Sequence, residues 1–153
     1  MSTLTPQRAT PEAFARFGSV VPAPTVEPTA ADPTFSYWSD LAHYRIEGET
    51  EIGLCTVHRQ ADPRVTWMER HDRTPEILIP ADGPFLLPVM DEAGAVEVFR
   101  VEPGEAVVIG DGVWHSACHP AEAASATYFV VFRRGTPRED VVKRDVPAVA
   151  VEG

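Results

Sequence analysis

Two short segments of the chain contain the side chains best suited to metal chemistry. Glu69 and His71 lie two residues apart, and Glu76 follows five residues after the histidine. The second segment is a glycine-rich turn that leads into His115. Alternate residues of a strand point to the same face of a sheet, so Glu69 and His71 are predicted to face one cavity. Two carboxylates and two imidazoles are enough to bind one divalent ion and leave positions open for a substrate.

The bulk properties of the sequence indicate one soluble domain. A chain of 153 residues is long enough for one domain with a single core. Because the net charge is −10, we expect neither nucleic acid nor an anionic membrane as a partner. The apolar runs are too short for a membrane helix, and a signal-peptide pattern is not visible. We therefore expect a cytoplasmic protein in which Cys55 and Cys118 are free thiols.

The arrangement of apolar runs predicts an all-β fold. Fifteen prolines and ten glycines separate short runs that are rich in valine, isoleucine and phenylalanine. About eight short antiparallel strands of this kind suggest a small barrel or jelly roll, with a hairpin turn at residues 91–94. The predicted strands cover residues 44–46, 51–59, 65–71, 76–80, 85–90, 96–101, 106–109 and 126–133.

Helix signals occur near the start of the chain. Thr10 fits a helix N-cap, Pro11 the first helical position and Gly18 a stop, so we expect a short N-terminal helix. A proline-rich extended segment should follow. Residues 1–135 are predicted to form the barrel together with these N-terminal parts. Residues 136–153 are predicted to be a charged C-terminal tail that packs at an edge or stays partly loose.

The spacing of the two metal-binding segments resembles the two sequence motifs of the cupin superfamily. The first motif, G(x)5HxH(x)3-4E(x)6G, is matched through residues 69–83, with glutamate for its first histidine and Pro63 for its leading glycine. The second motif, G(x)5PxG(x)2H(x)3N, is matched through residues 104–119, with Gly110 for its proline and His119 for its asparagine. The resemblance implies a single-domain jelly-roll barrel, also called a double-stranded β-helix.

Within the superfamily, the chain resembles the ureidoglycolate lyase family over roughly residues 8–134. The matching phrases are Met68-Glu69-Arg70-His71, Ile79-Pro80, Pro84-Phe85-Leu86, Gly112-Val113-Trp114-His115, Phe129-Val130-Val131 and the opening residues 10–18. This resemblance implies a homodimeric enzyme of purine breakdown that splits ureidoglycolate into glyoxylate and urea. Family members commonly carry glutamine where this chain has Glu76, and a carboxylate there restores the ordinary cupin ligand set.

The implied chemistry needs a metal ion and two proton-transfer groups. The predicted metal ligands are Glu69, His71, Glu76 and His115, and their oxygen and nitrogen donors suit Mn, Fe, Ni or Zn alike. Release of the ureido nitrogen needs a base for the substrate hydroxyl and an acid for the nitrogen. The candidates are His119, favoured by its place beside the second motif, and His58.

A small carboxylate substrate also needs a binding partner, for which an arginine fork is suited. Arg59 and Arg133, near the ends of predicted strands, are the candidates. Strand alternation directs Arg70 away from Glu69, so Arg70 is predicted to be structural. Trp114 is predicted to form a wall of the substrate pocket.

Two other functions stay open at this point. The same metal set also suits a different cupin enzyme, such as an isomerase, epimerase or dioxygenase that acts on a hydroxy or keto acid. A cupin that binds a small ligand without catalysis is the third possibility. Fold alone does not separate these functions.

Overall fold

Short apolar strands pair into two curled β-sheets in the computed structural model, which describes residues 2–153. Within residues 2–153 there is one short helix, α1 (Thr136–Glu139), near the end of the chain. The strands in chain order are β1 (Thr3–Leu4), β2 (Gln7–Arg8), β3 (Gly18–Val21), β4 (Ala30–Asp32), β5 (Phe35–Tyr37), β6 (Thr50–His58), β7 (Arg64–Arg70), β8 (Glu76–Pro80), β9 (Phe85–Met90), β10 (Val96–Val101), β11 (Ala106–Ile109), β12 (Trp114–His115), β13 (His119–Pro120), β14 (Ser125–Arg133) and β15 (Val142–Val151).

The strands are divided between a larger and a smaller sheet. The larger sheet has the order β1-β15-β7-β12-β9-β10-β2, with β13 also paired to β9. The smaller sheet has the order β3-β11-β8-β14-β6, and β4 and β5 form a separate pair. The antiparallel β9–β10 hairpin confirms the predicted turn, in which Gly94 takes a φ of 92° that favours glycine.

Apolar side chains of the two sheets meet in a shared core. Phe85 and Leu87 of the larger sheet and Val107 of the smaller sheet are fully buried in the same cluster. Phe14 packs edge-on against Phe99, with 5.1 Å between the ring centroids. Such burial is the main force that stabilises the fold. The two-sheet arrangement confirms the predicted all-β jelly-roll barrel.

Most of the predicted strands are confirmed. From residue 51 onward, each predicted strand is present with its ends within one residue of the prediction. The predicted strand at residues 44–46 is wrong, because this segment is irregular and pairs with neither sheet. Tyr44 there is 49% exposed, so its apolar character did not indicate a buried strand face.

The predicted N-terminal helix is also wrong. The Thr10 hydroxyl does accept the Ala13 N–H at 3.1 Å, as an N-cap would, but residues 11–17 form turns instead of a continuous helix. Phe14 and Phe17 are both drawn into the core. The turns end at Gly18, where β3 begins beside β11 so closely that a Cβ would lie 1.8 Å from the Val108 carbonyl oxygen.

The segment predicted as a charged tail packs against the larger sheet. It contains α1 and then β15, which pairs antiparallel with β7 and parallel with β1. Most of the first half of β15 is exposed, which explains why its sequence is charged. None of the helices found in residues 2–153 has the length and apolar character that a membrane span requires.

Candidate metal centre

The four predicted ligands are contributed by both sheets. Glu69 lies on β7 and His71 directly follows this strand, while His115 lies on the neighbouring β12 and pairs in register with Glu69. Glu76 begins β8 of the smaller sheet. The turn before β12 is held against the site because the Gly112 N–H donates to the His71 carbonyl at 2.7 Å.

The donor atoms of these side chains converge. One ligand atom each of Glu69, His71 and His115 lies within 4.8 Å of the others, an arrangement that could hold a metal ion. The Oε2 atom of Glu76 lies 2.7 Å from Nε2 of His115 and 3.4 Å from Nε2 of His71. The Oε2 atom of Glu69 also lies 3.4 Å from Nε2 of His71. The predicted ligand set therefore forms one cluster.

Both imidazoles are oriented by backbone carbonyl groups. Nδ1–H of His71 donates to the Asp140 carbonyl at 2.7 Å, and Nδ1–H of His115 donates to the Val113 carbonyl at 3.0 Å. When a ring is neutral, this donation places its proton on Nδ1 and leaves the Nε2 lone pair facing the carboxylates. Metal-binding histidines are oriented in this way in proteins.

The cluster requires a cation. Oε2 of Glu76 is buried beside the Nε2 atoms of His115 and His71, and it accepts a hydrogen bond there only when one of these nitrogens carries a proton. Carboxylate oxygens and Nε2 lone pairs at such distances repel one another unless a proton or a metal ion lies between them. The donor set and its burial thus fit a divalent ion.

The pKa shifts within the cluster also favour positive charge beside Glu76. Burial opposes the ionised form of Glu76, but the charges and hydrogen bonds of His115 and His71 outweigh burial and lower the pKa of Glu76 to about 2. Burial also opposes protonation of His71 and His115, yet Glu76 raises the pKa of both imidazoles above the ordinary value. The carboxylate of Glu76 thus favours the protonated form of both histidines in the metal-free protein.

A cavity of about 330 Å³ surrounds the cluster and is called the metal cavity below. Its volume suits a small-molecule ligand. Its apolar wall comes mainly from β8 and β14 and includes Leu78, Val130 and Phe132. Its polar residues other than the four predicted ligands are Glu51, Cys55, Ser116, Cys118 and Tyr128.

The two predicted proton-transfer histidines lie outside the residues that line the metal cavity. His58 and His119 line a neighbouring cleft of about 250 Å³. The two spaces share the segment from Ser116 to Cys118 as a wall. Burial lowers the pKa of His119. The catalytic roles of both histidines stay predictions.

The predicted substrate-binding residues also lie elsewhere. The Arg59 side chain donates to the Ala123 carbonyl at 3.1 Å, and Arg133 lines a separate cavity of about 670 Å³. Trp114 is buried, with the guanidinium groups of Arg70 and Arg144 at 4.7 and 5.7 Å from its ring centroid. Arg70 thus faces Trp114 and not the metal cluster, as strand alternation predicts. The substrate-binding roles of Arg59, Arg133 and Trp114 stay predictions.

Asp140 is a site residue that the sequence analysis missed. Its carbonyl orients His71, and its carboxylate accepts the backbone N–H groups of Asp72 at 3.0 Å and Arg73 at 2.9 Å. It lies at the C-cap of α1. The sequence Gly135-Thr136-Pro137 was an available signal for the start of this helix.

The chain matches a known family over nearly its whole length. The family model described as Ureidoglycolate lyase matches residues 1–152. A ureidoglycolate lyase of Brucella melitensis biotype 2 is 31% identical over 152 residues, which cover 92% of this chain and 87% of the relative. A ureidoglycolate lyase of Brucella ovis is also 31% identical, with the same coverage.

Solved structures with a similar fold are more distant. The oxalate decarboxylase of Lactobacillus farciminis in a formate complex has a TM-score of 0.47 and 14% identity, over 61% of this chain and 26% of that chain. An oxalate oxidase in complex with the substrate analogue glycolate has a TM-score of 0.47 and 18% identity, over 61% of this chain and 45% of that chain. The matched part is thus less than half of either protein.

Proposed function

This chain belongs to the ureidoglycolate lyase family, and on that premise we propose that it cleaves ureidoglycolate into glyoxylate and urea at the metal centre. The observation that carries this proposal is the convergence of Glu69, His71 and His115 in a cavity sized for a small molecule. Family membership favours this lyase over the isomerase, epimerase, dioxygenase and non-catalytic alternatives.

In the proposed enzyme, Glu69, His71, Glu76 and His115 hold one divalent ion, and this donor set suits Mn, Fe, Ni and Zn alike. Such an ion supplies positive charge that binds the carboxylate of an α-hydroxy acid and acidifies its hydroxyl group. The apolar wall, which includes Leu78 and Phe132, reduces the water around the bound substrate.

The cleavage itself moves two protons. The substrate hydroxyl loses a proton, its carbon–oxygen bond becomes a carbonyl, and the electrons of the carbon–nitrogen bond leave with the ureido nitrogen, which gains a proton. We propose Glu51 as the base, because it is the carboxylate of the metal cavity that the ligand set does not use. The backbone N–H of Gly135 donates to its Oε1 at 2.8 Å and holds it in position.

The function is tested by glyoxylate release from ureidoglycolate with protein that has been loaded separately with each candidate metal. We expect activity with at least one metal, and its loss together with bound metal in His71→Ala. His43→Ala, which changes an exposed histidine outside the metal cavity, is the matched control. Metal-loaded protein that releases no glyoxylate from either enantiomer would falsify the proposed substrate.

We also propose that the protein is a homodimer. Ile52 and Leu54 of β6, Ile79 of β8 and Phe129 of β14 are between 38% and 72% exposed on the smaller sheet, and we call these four residues the apolar face. Phe129 pairs in register with both Leu54 and Ile79, so these side chains are neighbours. β6 ends the order of this sheet, and two copies can pair such edges about a two-fold axis.

The cellular setting follows from the proposed substrate. We place the protein in the cytoplasm, in the breakdown of purines, where a small carboxylate and neither nucleic acid nor membrane is its partner. Neighbouring genes for allantoin breakdown would support this setting. Neighbouring genes of a biosynthetic cluster would instead favour another reaction at the same centre.

A further inference from the structure

Tyr128 is a buried hydroxyl group in the wall of the metal cavity that the proposed ligand set does not use. It lies on β14 and is only 4% exposed, yet it lines the same cavity as His71 and His115. Its ring packs against Phe85, with 4.9 Å between the centroids, and it pairs in register with Cys55 of β6. The tyrosine is therefore held in one place by the core while its side chain borders the substrate space.

Two free thiols lie on the same cavity wall as the hydroxyl group. Cys55 and Cys118 both line the metal cavity, and Cys55 pairs in register with Tyr128. Thiols are weak donors and weak acceptors, so neither removes the phenolic proton nor competes strongly for it. Burial, followed by the influence of both cysteines, raises the pKa of Tyr128 above its ordinary value. The hydroxyl thus carries its proton whenever a substrate arrives.

The wall that contains Tyr128 lies close to the metal cluster. Cys118 and Tyr128 line the same cavity of about 330 Å³ as Glu76 and His115. A small substrate bound at the cluster would therefore share this cavity with the phenolic hydroxyl.

The other polar groups of the cavity are less suited to protonate a departing nitrogen. Glu51 accepts the Gly135 N–H and is the proposed base. His58 and His119, predicted for proton transfer, line the neighbouring cleft. Tyr128 has a proton, a fixed position and a place on the cavity wall.

We propose that the Tyr128 hydroxyl is the acid that protonates the departing ureido nitrogen, an inference that rests on the proposed lyase function. As the carbon–nitrogen bond breaks, its electron pair stays on nitrogen and forms a new N–H bond with the phenolic proton. The base holds the proton taken from the substrate hydroxyl, and after urea leaves, water relays this proton from the base to the phenolate. Both groups thus return to their starting states, and protons balance over one turnover.

The first test replaces Tyr128 by phenylalanine. Because general acid catalysis contributes about 100-fold or more, we expect kcat to fall by roughly that factor. KM and the metal content should change by less than about twofold, since the hydroxyl is not among the predicted ligands. Tyr44→Phe, at an exposed tyrosine of the separate cavity lined by Arg133, is the matched control and should keep wild-type kcat.

A second readout separates proton donation from a structural role. An analogue of ureidoglycolate with an electron-withdrawing group on the departing nitrogen needs less protonation, so the loss in Tyr128→Phe should shrink at least several-fold with this substrate. Replacement of Tyr128 by 3-fluorotyrosine preserves its shape and lowers its pKa. If the hydroxyl donates a proton as the carbon–nitrogen bond breaks, this stronger acid should raise kcat and leave the metal content unchanged, which keeps the proposal testable if the phenylalanine variant does not fold.

The outcomes distinguish the two proposals. Wild-type kcat in metal-loaded Tyr128→Phe, or an unchanged kcat with 3-fluorotyrosine, would overturn the role of Tyr128 and leave the lyase function standing. Wild-type protein that binds metal and releases no glyoxylate would instead overturn the lyase function, and the role of Tyr128 with it.

Discussion

At the scale of single residues, Glu76 has the greatest influence on the charge of the metal centre. One of its carboxylate oxygens lies beside both buried imidazoles, and these histidines lower its pKa to about 2 in spite of burial. The carboxylate is therefore ionised at any pH at which the protein would work. It provides a full negative charge to a bound cation, which a neutral amide would not.

We expect Glu76→Gln to lower the affinity for a divalent metal by about 10- to 100-fold, the range found for changes close to a metal. Isothermal titration calorimetry, in which metal is added to the metal-free protein, measures this affinity directly. Glu92→Gln, at an exposed position in the β9–β10 hairpin, serves as the control and should bind metal like the wild type. Equal affinity in Glu76→Gln and wild type would show that this carboxylate is not a ligand.

His119 makes stability depend on pH, because burial lowers its pKa in the folded state. The unfolded chain then binds a proton more readily, so the contribution of His119 is complete above the unfolded pKa of about 6.5 and is lost as the pH falls toward the folded pKa. We expect the Tm to fall less between pH 7.5 and pH 5 in His119→Gln than in the wild type. Thermal scans at pH 7.5 and pH 5 check this, and the control His43→Gln should behave like the wild type. An equal fall in the Tm of His119→Gln and of the wild type would contradict the prediction.

The predicted metal cluster was accessible from the sequence because its spacing reflects strand geometry. Glu69 and His71 share a strand face by alternation, and the glycine-rich turn before His115 has a distinctive composition. Tyr128 was not found, because an aromatic residue in an apolar strand has the same appearance as a core residue. Asp140 orients His71 through its carbonyl, which every residue possesses, so its identity gave no signal.

At the scale of elements, α1 and β15 support the metal centre from outside it. The carbonyl and carboxylate of Asp140 together accept from the His71 ring and from the N–H groups of Asp72 and Arg73. One residue thus fixes both an imidazole and the loop that leads from β7 toward β8. The Arg70–Trp114–Arg144 stack joins β7, β12 and β15 beside it.

We expect Asp140→Asn to destabilise the protein by about 1–3 kcal/mol, because the amide NH2 cannot accept the second backbone N–H and leaves it unpaired. Metal affinity should also fall by about tenfold as the loop around His71 loosens. Urea unfolding and metal titration measure the two effects. Asp145→Asn, an exposed change on β15, should alter neither. If Asp140→Asn has the stability and affinity of this control, Asp140 does not support the site.

The strands were predictable where apolar residues face the core between the sheets. β15 was missed because much of its first half is exposed and charged, so it lacks that pattern. The N-terminal helix was predicted from correct local signals, including the Thr10 cap, but Phe14 and Phe17 pack into the core from turns. Tertiary packing overrode local propensity there.

At the scale of the whole molecule, the apolar face formed by Ile52, Leu54, Ile79 and Phe129 is the surface on which the homodimer proposal depends. Side chains this large and this exposed, side by side at a sheet edge, favour association. The sequence could not identify this surface, because alternation along β6 and β14 shows which residues share a face but not which face is covered.

We expect Ile52→Glu to convert the dimer to a monomer, because two copies of a carboxylate would be buried against apolar partners. Light scattering after gel filtration gives the mass. Val26→Glu, at an exposed valine outside the apolar face, should remain dimeric. A wild-type protein that is monomeric at all concentrations tested would refute the dimer, while a dimeric Ile52→Glu would move the interface elsewhere.

The dependence of His71 on Asp140 has a consequence for protein synthesis. Chains are made from the N-terminus, so His71 and His115 leave the ribosome before α1 and β15 exist. Until then the imidazole of His71 has no Asp140 carbonyl to fix its tautomer, and β7 lacks the pairing that β15 provides. A nascent chain that ends near residue 135 would therefore hold metal poorly. The complete metal centre would therefore form only when synthesis is nearly finished.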